Sequence, residues 1–552
     1  MGEAKILLRD AADLAAIAPA EVERKLTVLE LLWNDGFVRK SVIIIFLATA
    51  WEVYGTILDN PLLFEANDVG DLPDHSTKRN PVQEFVWGDY SAKPGHTYSY
   101  SVTAMRGTPV RLRASASVEV KVSTEDPDDG KHGVWFNRGV AASAAYVRRF
   151  GNVDPSTVAN REAYKWLGRG LEDALTAFIG QAIDNRFALR AGMYEFKWSP
   201  ILDAFKVASD AGADVQIVYH AVPKKNDKTP AQNLAAIKKA KIDDFSTPRT
   251  KTTIAHNKFV VLLNDDKPVA VWTGSTNVTE GGIFGHANVG HAIRDGRIAR
   301  AYLDYWEQLK DDPSTAKLKA FDDPTPKFPT SRPQTKQTTI FSPRTELDPL
   351  DWYVRLADSA NQGVFLTAAF GLTPEIAPVF EGQRDYLRYL LLDLRTGKID
   401  AMRREPSNVV AAGGLKGKGG FKKWITSELQ RLSIHVDYIH TKFMLIDPLS
   451  DEPLVITGSA NWSDESIKRN DENMIVIRGD KRVADIYLTD FMRLFNHYRL
   501  RGRAKTPVGT IEPAADVEDA QRGKLHLKPD DSWAEPFYVK DSPEAKERLL
   551  FG

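Results

Sequence analysis

The stretch "TIAHNKFVVLLNDDKPVAVWTGSTNV", residues 253–278, returns in altered form as "IHTKFMLIDPLSDEPLVITGSANWS", residues 439–463. In both, a His-x-Lys triplet opens an apolar run, and a second apolar run ends in Gly-Ser-x-Asn. A strand displays residues i and i+2 on one face, so His256 points with Lys258, and His440 with Lys442, toward a single surface. The apolar runs Phe259 to Leu262 and Phe443 to Ile446 anchor these strands in a covered sheet. At the second strand end, glycine permits close approach, while Ser and Asn supply short hydrogen-bonding groups. His256 and His440, Lys258 and Lys442, Gly274 and Gly458, and Asn277 and Asn461 are each 184 residues apart. The downstream helical patterns "RIARAYLDYWEQL" and "RVADIYLTDFMRLF" repeat at the same offset within about two residues. Two homologous lobes follow.

Around the motifs, helical and strand-like stretches alternate from about residue 151: "GRGLEDALTAFIGQAI", "FALRAGMYEF", "SPILDAFKVASDAG" and "DVQIVYHA". Such alternation predicts an α/β class with a mainly parallel sheet covered on both faces. A Pro- and Thr-rich linker at 321–343 separates the lobes. Beyond it the alternation resumes with "GVFLTAAF", "EGQRDYLRYLLLDL", "SNVVAAG" and "FKKWITSEL". The expected organisation is an accessory segment over 1–95, helical at 19–40 and irregular after 60, and a small β-rich segment over 96–150. The first lobe then spans 151–325, the second 326–505, and an extension 506–552.

The 552 residues suffice for two large cores, and 73 basic against 74 acidic side chains leave a charge of -1. No global field therefore steers the chain to nucleic acid or an anionic membrane. With no cysteine, disulfides, thiol nucleophiles and cysteine-metal clusters are excluded. The apolar run at 42–51 is too short to span a bilayer as a helix and reads as a buried strand or helix. The amino terminus lacks the uninterrupted apolar core of a secretory signal, so a soluble, cytoplasmic protein is expected.

Pairing the lobes about a pseudo-twofold axis brings two His, two Lys and two Asn into one cleft. The lysines repel a metal cation and add no ligand to the two histidines. A phosphodiester fits better, because ammonium and amide groups can surround its nonbridging oxygens as charge develops. One histidine can attack phosphorus while the other protonates the leaving oxygen and then activates water or an alcohol. Metal-independent phosphoryl transfer through phosphohistidine follows, with no cofactor.

This pattern resembles the phospholipase D superfamily, whose signature is His-x-Lys, four residues, Asp, followed by Gly-Ser-x-Asn. The resemblance covers about 151–505 and implies a pseudo-twofold fold of two α/β/α sandwich lobes. The second copy matches fully with His440, Lys442, Asp447, Gly458, Ser459 and Asn461. The first has Leu263 where the family has Asp, with Asp265 nearby as a compensating group. Glu472 resembles the family carboxylate that orients a histidine, and the repeat offset places Asn288 at the matching position of the first lobe. By this analogy His256 is the nucleophile and His440 the general acid and base, although exchanged roles fit the same sequence. Lys258, Lys442, Asn277, Asn461, Asp447 and Glu472 complete the expected catalytic set. Ser275, Ser459 and Asn288 are expected on the substrate.

Phospholipid is the first substrate expectation, by headgroup hydrolysis or transfer to another alcohol. Trp272, Trp424 and Trp462 beside the motifs would suit an amphipathic ligand or a core. A nuclease is the alternative, resting on Lys224, Lys225, Lys228, Lys238, Lys239 and Lys241, which equally read as a solvated face. A noncatalytic phosphate-binding scaffold is the third reading, supported by Leu263 and Asn288. Arg138, Arg148 and Arg149 are entrance candidates, or else partners of the upstream acids. The Gly-rich 412–424 stretch lacks Walker spacing. Because both motifs lie in one chain, a monomer suffices for the site.

Overall fold

The computed structural model describes residues 43–49, 56–57, 64, 76–139, 143–151, 153–369, 371–393, 401–412, 439–503 and 526–551. The helix expected at 19–40, Trp424 and nearly all of the Gly-rich stretch lie outside them. The chain forms two compact units, one of Met1–Asp126, Leu415–Ser427 and Arg499–Gly552, the other of Pro127–Gly414 and Glu428–Tyr498. The first unit carries an antiparallel sheet of β1 (Ile43–Thr49), β2 (Thr56–Ile57), β3 (Thr97–Thr108) and β4 (Arg111–Ser123), in the order β2-β1-β3-β4. The apolar run at 42–51 thus contains a strand. The period-two pattern of 97–124 is a half-exposed hairpin. No helix among the described residues is long and apolar enough to cross a membrane.

The second unit holds both lobes, each built on a seven-stranded mixed sheet. The first sheet contains β5 (His132–Phe136), β6 (Phe187–Met193), β7 (Asp214–His220), β8 (Ser246–Arg249), β9 (Lys258–Asn264), β10 (Lys267–Gly274) and β11 (Val289–Ile293). The second contains β12 (Gln337–Ser342), β13 (Gly363–Ala368), β14 (Leu387–Leu392), β15 (Asn408–Ala412), β16 (Phe443–Ile446), β17 (Leu454–Gly458) and β18 (Glu472–Arg478). Their orders, β5-β11-β10-β9-β6-β7-β8 and β12-β18-β17-β16-β13-β14-β15, match strand for strand. In each, the last two neighbour pairs are parallel and the other four antiparallel. These are two copies of one α/β lobe, as the 184-residue repeat predicts.

Three details differ from the sequence reading. The sheets expected to be mainly parallel have more antiparallel than parallel pairs, because the His-x-Lys strand returns to the Gly-Ser-x-Asn strand through a turn and not through a helix. The strand β5, which falls in the 96–150 segment, is the edge strand of the first lobe's sheet, paired with β11. In the second lobe, "EGQRDYLRYLLLDL" is not a helical member of the alternation. It contains β14, buried at every position and parallel to β13, with only a short 3-10 turn at Ala377–Phe380 before it. Charged residues at 381–385 mimic a helical surface, while the apolar run behind them is long enough only for a central strand.

The strands that carry the motifs are central. β16 is buried throughout, and β9 at all but its last residue, as sheets covered on both faces require. The helix Gly296–Leu309 starts at Asp295, whose carboxylate accepts from the backbone of Arg297 and Ile298. It buries Ile298, Tyr302, Tyr305, Trp306 and Leu309 along one face. The helix Lys481–Arg503 repeats this with Val483, Tyr487, Phe491, Leu494 and Phe495. These amphipathic faces cover the sheets and fix the strand ends from which the motif side chains project.

Candidate active site

His256 and His440 sit just before β9 and β16, in segments stitched by backbone to the opposite lobe. The His256 amide donates to Asp471 O at 2.9 Å, and Asp471 N to Ile254 O at 3.0 Å. The His440 amide donates to Ala287 O at 3.0 Å. The bridges Ala255–Asp471 and Ala287–Ile439 are related by the same 184-residue offset as the motifs. Each histidine is therefore placed by the lobe that does not contain it.

Side chains repeat this exchange. His256 Nδ1 lies 2.8 Å from Glu472 Oε2, and Ser459 Oγ donates to the same oxygen at 2.7 Å. His440 Nδ1 lies 2.9 Å from Asn288 Oδ1, which also accepts from Ser275 Oγ at 2.8 Å. Asn288 Nδ2 donates to Gly282 O at 2.8 Å, so Oδ1 is an acceptor and His440 Nδ1 carries its proton. With Nδ1 committed on both rings, Nε2 is the nitrogen left to do chemistry. The two serines also accept backbone hydrogen bonds, from Val289 N at 3.1 Å and Asn473 N at 3.0 Å.

Ser275, Ser459 and Asn288 are consequently not substrate contacts, contrary to the sequence expectation. All three are wholly buried and orient the histidines. The glycine before each serine makes this possible. A Cβ at Gly274 would stand 2.3 Å from Val289 O, and one at Gly458 2.2 Å from Asn473 O. Any larger residue would push the serine's strand away from its neighbour.

Lys258 and Lys442 are buried, and each ammonium donates to the carbonyl of its own histidine at 2.5 Å. Burial pushes Lys258 down to about 7, although Glu472 and Glu195 work against the shift. Burial also lowers Lys442, with Lys258 adding repulsion, and holds His440 well below the usual imidazole range. His256 falls to about 4 through burial, partly offset by Glu472. Burial works to raise Glu472, but His256, Lys258 and Ser459 outweigh it and leave the carboxylate ionised. The site thus holds four buried bases whose charged forms burial disfavours, beside the ionised Glu472, and an anion bound among them would favour their protonation.

The two asparagines are not equivalent. Asn277 is buried and its Nδ2 donates to Glu195 Oε2 at 2.5 Å, whereas Asn461 is partly exposed. Sequence reasoning missed Tyr194 and Glu195. The Tyr194 ring lies 4.8 Å from the His256 ring, and Lys258 Nζ is 5.1 Å from its centroid. The missing signal is the pairing of β6 with β9, which sets Met193 opposite Lys258 and carries the next two residues alongside the motif.

Asp447 is the main correction. It lies five residues past Lys442, about 16 Å along an extended chain, at the far end of β16. Its Oδ1 accepts from the amides of Asn361, Gln362 and Gly363 at 2.9, 2.7 and 3.2 Å, and Oδ2 from Arg332 at 2.5 Å. It anchors the entry to β13 and takes no part in the site. Leu263 is buried at the equivalent end of β9, and Asp265 is an exposed turn residue that does not reach the cleft. Replacing Asp447 with alanine strands three backbone donors, and should cost about 2–4 kcal/mol of stability in denaturant unfolding. Turnover per folded molecule should stay unchanged.

Other candidates resolve as structure. Trp272 stacks on Trp135 in the core, and the Trp462 indole donates to Thr367 O at 2.8 Å. Arg138 lies over Trp166 and donates to its carbonyl, while Arg149 lies over Phe150. The upstream acids Asp128 and Asp129 pair instead with Arg294 and Arg482. Lys224, Lys225, Lys228, Lys238, Lys239 and Lys241 are exposed.

Residues 179–310 and 414–495 match a family model described as a cardiolipin synthase, PLD-like domain. The human (Homo sapiens) mitochondrial cardiolipin hydrolase is 33% identical over 61 residues, which are 11% of this chain and 22% of that relative's length. Among solved structures, the phosphatidylserine synthase of Haemophilus influenzae aligns over 60% of this chain and 85% of its own, at 11% identity and a TM-score of 0.42. Nuc from Salmonella typhimurium, a phospholipase D family member, aligns over 25% and 86%, at 24% identity and a TM-score of 0.21.

Proposed function

The chain belongs to the phospholipase D superfamily, and on that premise we propose that it is a metal-independent phosphodiesterase that cleaves or transfers phospholipid headgroups through a phosphohistidine. The observation that carries this reading is the crossed pair of buried histidines, each held at Nδ1 by the other lobe beside a buried lysine. A scaffold has no physical need for two such pairs.

The unequal partners divide the roles. A histidine that attacks through Nε2 while keeping its Nδ1 proton becomes a cationic phosphoimidazole, and a carboxylate at Nδ1 stabilises that charge. Glu472 supplies the carboxylate to His256, which burial keeps unprotonated and therefore nucleophilic at neutral pH. His440 has the Asn288 amide at Nδ1 in place of a carboxylate, and Lys442 and Lys258 beside it make it a ready proton donor once charged. A bound phosphodiester anion beside Lys258 and Lys442 favours the protonated form of His440.

In the first step His256 Nε2 bonds to phosphorus, the P–O bond to the headgroup breaks, and His440 gives its Nε2 proton to the departing oxygen. Next, neutral His440 takes a proton from water or an alcohol. That oxygen bonds to phosphorus, the P–N bond breaks, and both histidines return to their starting states. Lys258 and Lys442 offset the charge on the nonbridging oxygens throughout.

Phospholipid as the substrate class is supported by the matched cardiolipin synthase domain and the cardiolipin hydrolase relative. Purified protein, incubated with chelator against short-chain phospholipids, single- and double-stranded nucleic acids and a chromogenic phosphodiester, should release lipid headgroups. Cleavage confined to nucleic acid would replace the lipid assignment. No turnover of any class would overturn the enzymatic reading.

A further inference from the structure

A carboxylate beside a phosphodiester site opposes its substrate unless the substrate brings something for it to bind. Glu195 is such a group. Its Oε2 holds Asn277 Nδ2 at 2.5 Å, and the charge is close enough to Lys258 to favour that ammonium's proton. The second oxygen, Oε1, has Lys197 Nζ at 3.9 Å, beyond hydrogen-bond range, and that ammonium donates instead to Gln232 Oε1 at 2.7 Å. The Glu195 side chain keeps 24% of its surface open. Asn277 is only 5% exposed, and its Oδ1 has no hydrogen-bond partner among the described residues. Two side chains joined by a hydrogen bond thus each keep an acceptor without a donor among the described residues, and Glu195 is near enough to Lys258 for their charges to interact. A buried amide oxygen left without a donor is costly, and a ligand that supplies one removes the cost.

Among the described residues the arrangement occurs in the first lobe, and the second lobe's sequence does not repeat it. Ala191 opposes Val260 as Leu366 opposes Met444, so Tyr194 and Glu195 correspond to Ala369 and Phe370 in the second lobe's sequence. Phosphate-binding groups are duplicated across the pseudo-twofold axis, but this acid and aromatic pair is not. A ligand lying across the axis would meet this pair on one side only.

We infer that Glu195 Oε1 and Asn277 Oδ1 form a headgroup subsite that selects phosphodiesters whose alcohol carries a hydrogen-bond donor, hydroxyl or ammonium, close to the ester oxygen. This rests on the phosphodiesterase reading above and narrows it. The diacylglycerol arm of a phospholipid has no O–H or N–H, so the donor must come from the headgroup. A DNA phosphodiester has no donor beside the phosphate and leaves both acceptors unanswered. The Tyr194 ring, packed on His256 and Lys258, gives the same subsite an aromatic wall.

The test compares kcat/KM for short-chain phosphatidylglycerol, phosphatidylethanolamine and phosphatidylpropanol, with bis(p-nitrophenyl) phosphate as a plain phosphodiester. The wild type should prefer one or both donor-bearing lipids over phosphatidylpropanol by about tenfold or more, because a site built around a donor rejects the analogue lacking it. Preference for the glycerol lipid identifies the donor as hydroxyl, and preference for the ethanolamine lipid as ammonium. Glu195→Ala should reduce that ratio to about two or less. Glu195→Gln, which can still hold Asn277, should reduce the ammonium preference if the alanine variant does not fold. Equal rates for all three lipids in the wild type, or an undiminished ratio in a folded variant, would overturn the inference while leaving the phosphodiesterase reading standing. No turnover even of the chromogenic diester would overturn both.

Discussion

His256→Ala should lose at least about 10⁴-fold in kcat on every phosphodiester the protein cleaves, because it removes the group assigned to attack phosphorus. His440→Ala should behave differently. With an alkoxide leaving group it should lose about 10²–10⁴-fold, the usual share of a general acid. With a p-nitrophenolate leaving group, which departs without a proton, the first step should be largely spared and only breakdown of the adduct slowed. A burst of p-nitrophenol, stoichiometric with enzyme and followed by slow turnover, is the expected trace. The asymmetry follows from the partners at Nδ1, a carboxylate for His256 and an amide for His440. If His256→Ala gave the burst and His440→Ala did not, the two roles would be exchanged.

The second large effect is expected at Glu472, which touches no substrate. Its Oε2 accepts from His256 Nδ1 and Ser459 Oγ, and its charge opposes the shifts of Lys258 and Lys442. Glu472→Gln preserves volume and an acceptor oxygen but removes the charge. It should lower kcat and kcat/KM together by about 10²–10⁴-fold, as expected when an interaction strengthens only as positive charge develops on the imidazole. Ser459→Ala, which removes one hydrogen bond to the same carboxylate, should lose only about tenfold. A Glu472→Gln variant within about threefold of wild type would mean that the carboxylate is a structural counter-ion only.

The lobes and most of the motif were legible in the sequence because their signals are local or repeated. His-x-Lys at strand spacing, Gly-Ser-x-Asn at a strand end and a constant 184-residue offset need no knowledge of tertiary contacts. What stayed hidden was the exchange across the axis. A repeat shows that Asn288 and Glu472 are equivalent, but not that each serves the other lobe's histidine. Ser275 and Ser459 looked like substrate ligands because a short hydroxyl beside a glycine at a strand end is compatible with either role. Asp447 fits the family pattern while bonding to backbone amides a strand's length from the chemistry. This explains why the first lobe can carry Leu263 there. Tyr194 and Glu195 went unnoticed because they reach the site through sheet pairing with a strand 65 residues downstream, where no spacing rule applies.

Covalent capture on His256 tests the mechanism most directly. His440→Ala protein, mixed with a chromogenic phosphodiester, quenched in cold alkali and mapped by mass spectrometry, should carry one phosphoryl ester adduct on the peptide containing His256. An adduct on another residue, or burst turnover with no adduct on any histidine, would contradict it.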